Sequence, residues 1–216
     1  MSTTRGFFIS IEGGEKAGKT TQARMLAAWL EERGGEVVLT REPGGTPAGE
    51  VIRDLLLAPT GSDIGPVTEV LLFAASRGQL VADVIRPALE AGKFVVADRY
   101  IDSSLAYQAF GLGLPFERVL AVNEWATGGL WPDVTFVLDG GDPSRFLGRA
   151  REGAADRIER REPAFHEKVA RGYRRLAERF PRRIVLVDGS RPPDEVASEI
   201  RTIVLSRLGG REVPGQ

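Results

Sequence analysis

The sequence contains no cysteine and a single histidine, His166, among 216 residues. The first absence excludes a disulfide scaffold, a thiolate metal site and a cysteine nucleophile. The second excludes a histidine-rich metal cluster and leaves a Ser-His-Asp triad only one residue to draw on. Net charge is nearly absent too. The 29 Lys and Arg against 30 Asp and Glu leave −1, so no bulk field exists to hold a nucleic-acid duplex or an anionic membrane. Long apolar runs are missing. The N-terminal run, Phe7–Ile11, is too short for a signal-peptide core or a membrane span. The longest apolar-leaning stretch, Val67 to Leu89, is broken by Glu69, Arg77, Asp83 and Arg86 and reads as a helix of a globular protein. The expectation is a cytoplasmic protein without nucleic-acid or membrane partners. Lysine is also scarce. Of four lysines, Lys16 and Lys19 fall within one eight-residue stretch.

What is present has the composition of an ordinary globular chain, 42% hydrophobic and 27% charged, and the length suits one domain over residues 1–216. Five short apolar runs, Phe7–Ile11, Val37–Leu39, Phe94–Ala97, Val134–Leu138 and Ile184–Val187, are nearly continuous rather than alternating. That pattern predicts strands buried on both faces of a parallel sheet. Between them the periodicity predicts helices over Gln22–Arg33, Glu50–Leu57, Pro66–Ala91, Phe116–Thr127, Pro143–Arg151, Pro163–Arg179 and Pro193–Leu208, several of them opening at proline. Strand–helix alternation of this kind means a three-layer α/β fold. Four runs are followed at once by an acid, Glu12, Asp98, Asp139 and Asp188. In such sheets ligands sit beyond the carboxyl ends of strands, which makes these acids site candidates, although a strand also ends wherever the chain meets water.

Directly after the first strand comes Gly13-Gly14-Glu15-Lys16-Ala17-Gly18-Lys19-Thr20, a full G-x-x-x-x-G-K-[ST] that opens a helix. This P-loop predicts a nucleoside triphosphate site. Glycines let successive backbone N–H groups turn toward phosphate oxygens, and the helix N-terminus adds its partial positive charge. Lys19 is expected to reach the β/γ-phosphates of ATP, with Gly13–Thr21 forming the cradle and the Thr20 hydroxyl ligating Mg²⁺. The N-K-x-D pattern of a guanine-reading switch protein is absent. A small-molecule kinase needs an acceptor pocket, cations for the moving phosphoryl group and a cover against water. The arginine-rich segment 149–161 is a lid candidate, although such a run is often only a solvated face. Arg171, Arg174, Arg175, Arg179, Arg182 and Arg183 read as a solvated stripe.

With these residues in place, the chain resembles the bacterial thymidylate kinase family over nearly its full length. The resemblance rests on Ile11-Glu12-Gly13 with the P-loop, on Thr40-Arg41-Glu42-Pro43-Gly44-Gly45-Thr46, and on Leu71-Leu72-Phe73-Ala74-Ala75-Ser76-Arg77. It rests also on Asp98-Arg99-Tyr100 with Asp102-Ser103-Ser104-Leu105-Ala106-Tyr107-Gln108, and on Asp156-Arg157-Ile158-Glu159 in the lid segment. It implies a P-loop NTPase fold on a five-stranded parallel sheet, and phosphoryl transfer from ATP to dTMP with Mg²⁺. By the same resemblance Phe73 stacks on thymine, Arg77, Gln108 and Ser104 bond its edge, and Tyr107 lies near C2′. Arg53 and Arg99 grip the acceptor phosphate, Glu15 lies near the 3′-OH, and Glu42 and Pro43 belong to the substrate loop with a cis peptide between them. Asp98 orders Mg²⁺ and its waters, Arg149 packs over adenine, and the Asp188–Pro193 loop meets the adenine edge. Phe73 and Arg77, four apart, share one helix face, although Phe73 alone would also suit a core.

One position departs from the pattern. The resemblance implies a catalytic cation either in the P-loop or in the lid with glycine at the P-loop position, and this chain has both Lys16 and a lid rich in arginine. Arginine is the better phosphate clamp, so the expectation is that Arg157 or a neighbour does most of the transition-state work and Lys16 assists. No general base is required, because a nucleoside monophosphate already offers an anionic oxygen. A helix over 66–91 that is apolar on more than one face fits a homodimer contact, or a core helix of a monomer. Two other readings stay open at this point, a deoxynucleoside kinase using Glu12 or Glu42 as base and a non-catalytic ATP-binding module.

Overall fold

The computed structural model describes residues 5–58, 63–140 and 156–209. The expected helix at Pro143–Arg151, Arg149 and residues 149–155 of the lid segment lie outside the described residues. Five strands, β1 (Phe7–Gly13), β2 (Val37–Arg41), β3 (Phe94–Asp98), β4 (Val134–Asp139) and β5 (Ile184–Asp188), form one parallel sheet in the order β2-β3-β1-β4-β5. Each strand runs one or two residues past the apolar run that signals it. Asp98, Asp139 and Asp188 are therefore last residues of strands, and Glu12 is next to last in β1.

Alternation along β1 explains the two cores. Phe7, Ile9 and Ile11 face the layer of α1 (Lys19–Glu31) and the C-terminal helix Pro193–Leu208, where they meet Leu26, Trp29, Leu30, Val196 and Ile200. Phe8 faces the opposite layer with Val95, Ala97 and Val137. Ser10 and Glu12 share the Phe8 face and are fully buried, so polarity enters the interior toward the carboxyl end of the strand. The expectation of burial on both faces holds for β1, β3 and β4 and fails for β2 and β5. These are the edge strands, with only one neighbour each.

α2 (Pro47–Leu57) starts three residues earlier than its periodicity suggests, because the Thr46 hydroxyl accepts from Gly49 N–H at 3.0 Å and Pro47 fills the first turn. The expected 66–91 helix is α3 (Pro66–Leu80) and α4 (Arg86–Glu90), joined through a π-helical turn at Val81–Ile85. A helix the periodicity does not reveal, α5 (Ile101–Ser104), runs into a second π-helical turn at Leu105–Gly111. It is buried nearly all round, so no polar face repeats at helical spacing, and the wider π turn disrupts that spacing further. α6 (Phe116–Thr127), α7 (Pro163–Arg179) and α8 (Pro193–Leu208) match the sequence signals at both ends.

The arginine stripe is not uniformly solvated. Arg183 forms a two-pronged pair with buried Asp102 at 2.5 and 2.8 Å and also donates to Thr135 Oγ1 at 2.8 Å. Arg174 clamps Asp139 at 2.7 and 2.9 Å. Arg179 pairs with the exposed Glu117 and lies over the Phe116 ring at 4.4 Å. Helical spacing registers the stripe but not the acids, which come from distant strands and helices. Among the described residues no helix is long and apolar enough to cross a membrane.

Candidate active site

At the carboxyl ends of β1 and β3 lies a cavity of about 720 Å³. The P-loop forms one wall. Gly13 has φ +142°, and a Cβ there would sit 2.7 Å from the Leu138 carbonyl oxygen, so only glycine fits. Gly18, at φ +89°, starts α1 with no side-chain cap. The first N–H groups of the helix are therefore left for an anion. Lys16 and Arg99, at φ 59° and 76°, are the non-glycine residues in the left-handed region among those described, and both line the cavity. Backbone held in that region clusters at functional sites.

Lys19 lines the same wall, and its Nζ donates to the Gly14 carbonyl at 2.5 Å. Burial lowers its pKa to about 8, with the Arg99 charge adding to the effect and Glu15, Asp98 and Glu12 opposing it. The lysine is thus held at a solvation cost that an incoming triphosphate would relieve. Next to it, the Thr20 hydroxyl donates to Asp98 Oδ2.

Arg99 ties the P-loop to the helical segment that follows β3. Its Nη1 donates to Gly13 O at 3.1 Å and Ser103 Oγ at 3.2 Å, and its Nη2 to Glu15 Oε1 at 2.8 Å and Tyr107 Oη at 3.1 Å. Tyr107 in turn donates to Glu15 Oε1 at 2.6 Å. Burial alone would raise the Glu15 carboxyl, but Arg99, Lys19 and the Tyr107 hydrogen bond hold it down at about 2. Behind this knot Glu12 is fully buried. It accepts from Tyr100 N–H at 2.7 Å, Ser103 Oγ at 2.6 Å and Tyr173 Oη at 2.9 Å. Desolvation, with the Asp102 charge, pushes it up to about 7.

The cavity is lined also by Phe73, Ser104, Tyr107 and Gln108 and by Arg53, Glu42 and Pro43. Phe73 packs one side on the core and presents the other to the cavity. Arg53 Nη1 donates to the Pro43 carbonyl at 2.8 Å, and the Glu42-Pro43 peptide is cis.

Outside the P-loop, two expected residues among those described, Arg77 and Arg157, do not line this cavity. Arg77 is 1% exposed and makes four hydrogen bonds to protein acceptors. Nε donates to Glu42 Oε2 at 2.7 Å, with Nη2 ion-paired to the same oxygen at 2.5 Å; Nη2 donates to Tyr100 O at 3.0 Å, and Nη1 donates to Ser104 Oγ at 2.9 Å and to Asn123 Oδ1. In this arrangement Arg77 braces Glu42 and Ser104. Arg157 is drawn to Glu69, a carboxylate with no exposed surface on α3, at 2.7 Å and to the Leu56 carbonyl at 2.9 Å. A carboxylate that deeply buried requires cations, and Arg161 joins it at 2.5 Å. The lid segment meets the cavity through Asp156, Ile158 and Glu159 instead.

Sequence reasoning missed Ser103 and Tyr173 as ligands of Glu12 and Arg99. Ser103 falls inside a quoted motif and could have been found there. Tyr173 lies on α7, 161 residues from Glu12, and carries no local signal.

The sequence profile of the family described as thymidylate kinase matches residues 11–200. A thymidylate kinase of Halothermothrix orenii is 49% identical over 200 residues, covering 91% of this chain and 95% of its own. One of Deinococcus radiodurans is 47% identical over 205 residues, covering 94% and 98%. Among solved structures, the thymidylate kinase of Ehrlichia chaffeensis superposes with a TM-score of 0.77 at 30% identity, covering 93% of this chain and 99% of its own. With the P-loop on a parallel sheet and similarity over more than nine-tenths of the chain in agreement, the chain belongs to the thymidylate kinase family, phosphotransferases that convert dTMP to dTDP.

Proposed function

We propose that this chain, as a single P-loop kinase domain, transfers the γ-phosphoryl group of ATP to dTMP by in-line attack of a dTMP phosphate oxygen. The observation that carries the reading is one cavity lined by Lys16, Lys19, Arg53, Phe73, Arg99 and Gln108, in which Arg99 bonds both Gly13 O of the P-loop and the Tyr107 hydroxyl. In this reading thymine lies on Phe73 with its edge toward Gln108 and Ser104. The phosphate meets Arg53 and Arg99, the sugar lies beside Glu15 and Tyr107, and Tyr107 opposes a 2′-hydroxyl. The acceptor is already anionic, so the reaction depends on alignment and charge neutralisation rather than on a base. Thr20 Oγ1 and Asp98 Oδ2, in contact at the P-loop, are hard oxygen donors that suit Mg²⁺, which takes few protein ligands and fills its shell with water and phosphate. When bound there it would offset charge on the β- and γ-phosphate oxygens. The cytoplasm is the setting this reading implies.

The test is identification of the product. ATP, Mg²⁺ and dTMP incubated with the protein should give ADP and dTDP in equal amounts by anion-exchange chromatography. Free phosphate in place of dTDP would contradict the reading.

Lys16 is the better candidate for the transition-state cation, because it lines the cavity while Arg157 is engaged by Glu69. Lys16→Gly is expected to lower kcat about 10²-fold, the scale for losing one preorganised donor. Arg157→Ala should change kcat by less than about 10-fold. The reverse order in steady-state kinetics would return the role to the arginine.

A homodimer through α3 and α4 is part of the same proposal. Val67 and Leu71 of α3, Val51 and Leu55 of α2 and Trp125 of α6, 88% accessible, are exposed, and α3 packs against both α2 and α6. An apolar patch built from neighbouring helices suits a self-complementary contact. Light scattering should give twice the 23.5 kDa chain mass, and Leu71→Glu should return it to one. A monomeric wild type would reject the contact.

A further inference from the structure

We infer that Glu69, which does not touch the cavity, is a specificity-positioning residue that fixes which end of the Gln108 amide faces the substrate base. The inference rests on the dTMP reading above and deepens it. Gln108 lines the cavity, and its Nε2 donates to Glu69 Oε1 at 3.0 Å. The other carboxylate oxygen, Oε2, accepts from Arg157 at 2.7 Å and Arg161 at 2.5 Å. A buried carboxylate paired with two guanidinium groups offers only acceptors. Turning the Gln108 amide over would set its carbonyl oxygen against a carboxylate oxygen, lone pair on lone pair, with no water to intervene. The amide is therefore locked with its NH₂ toward Glu69.

The consequence lies at the other end of the amide. Gln108 Oε1 takes no hydrogen bond from the described residues, and it is the polar atom left for a ligand. A fixed carbonyl oxygen accepts and cannot donate. Thymine and uracil carry a donor at N3–H, whereas cytosine carries an acceptor at N3. Glu69 thus makes the pocket select an imide base and reject a cytosine-type edge, acting through Gln108. Selection by a site whose polar group would otherwise face a lone pair is strong compared with selection by shape. Arg157 and Arg161, at the lid end of the chain, hold the acceptor in place, which gives Arg157 a role away from the transferring phosphoryl group.

The test uses the full-length chain and compares kcat/KM for dTMP and dCMP in the wild type, Glu69→Gln, Gln108→Leu and the double variant. A glutamine at 69 can keep its oxygen on the arginines and turn its NH₂ to Gln108, which permits the amide to reverse. The dTMP:dCMP ratio should narrow by about 10-fold or more in Glu69→Gln, mainly through KM. It should narrow at least as much in Gln108→Leu, and adding Glu69→Gln to that variant should move it less than about two-fold. A purely structural role for Glu69 would lower both substrates by the same factor, and that result overturns the assignment. Should Glu69→Gln fail to fold, an unchanged ratio in Gln108→Leu alone overturns it as well. A wild type inert toward dTMP would sink the functional reading and this assignment together. A wild type that uses dTMP with ratios unmoved in the variants sinks only this one.

Discussion

Changing Arg99 to alanine is expected to lower kcat/KM for dTMP by about 10³-fold and to lower the thermal midpoint by about 6–12 °C. Both effects follow from the position of one guanidinium group. Arg99 touches Gly13 O, Ser103, Glu15 and Tyr107, and it is 15% exposed against 21% for Glu15. Removing one partner of such a largely buried pair costs about 3 kcal/mol, at the low end of the usual range because some water reaches it. For a chain of this size each kcal/mol moves the midpoint by about 2–4 °C. The kinetic loss is separate, since the same group is the expected grip on the dTMP phosphate and a charged hydrogen bond of this kind is worth several kcal/mol. Arg99→Lys should recover part of the midpoint but little of the KM, because a point charge cannot reproduce the fork.

The stability loss also has a sign in pH. The Glu15 pKa falls from 4.5 to about 2 in the fold, so its stabilisation is fully present above about pH 4.5 and disappears as pH falls toward 2. The midpoint difference between wild type and Arg99→Ala should shrink between pH 7 and pH 3. Thermal unfolding at both values checks this, and a constant difference would contradict the pairing.

Lys19→Met should remove activity without lowering stability. Loss of the cation that meets the β/γ-phosphates is expected to lower kcat about 10³-fold. The lysine pKa is lowered from 10.5 to about 8, which corresponds to a penalty of about 3 kcal/mol for holding the charged form at pH 7. A depressed lysine pKa destabilises the fold below about pH 8, and the penalty fades as pH rises toward 10.5. Methionine removes that cost and forfeits a charged hydrogen bond to Gly14 O, worth about 1.5–3 kcal/mol. The midpoint at pH 7 should therefore hold or rise slightly rather than fall. The same value sets a kinetic limb. In the wild type, kcat/KM for ATP should fall about tenfold per pH unit above pH 8, as the free enzyme loses the ammonium. Residual activity in Lys19→Met should lack that limb. An inactive variant with a lower midpoint would contradict the view that the lysine is held at a cost.

How far the sequence foretold this architecture can be judged element by element. The central strands are legible because burial on both faces leaves contiguous Val, Ile and Phe, as in Phe94–Ala97. The P-loop is legible because its chemistry is local, with glycines, a lysine and a threonine at fixed spacing after a strand. The family resemblance pointed to Phe73, Ser104, Tyr107 and Gln108, all of which line the cavity. What escaped is non-local or non-periodic. The helix over 101–111 is buried nearly all round and passes through a π turn, so no amphipathic signal exists to read. Arg183 pairs with an aspartate 81 residues away, and its helical spacing alone suggested a solvated face. Arg77 and Arg157 are arginines in the expected motifs, but buried Glu42 and Glu69 capture them, and the demand of a desolvated carboxylate for cations appears only once the chain is folded.

The most direct measurement is ADP release, coupled to a spectroscopic readout, with ATP and Mg²⁺ and a panel of acceptors offered one at a time. Turnover should be fastest with dTMP, weaker with dUMP, and nearly absent with UMP, CMP and thymidine. Turnover with thymidine but not dTMP would contradict a phosphate-acceptor site built around Arg53 and Arg99. No turnover with any acceptor, with ATP still bound, would contradict the assignment of the cavity as a kinase active site.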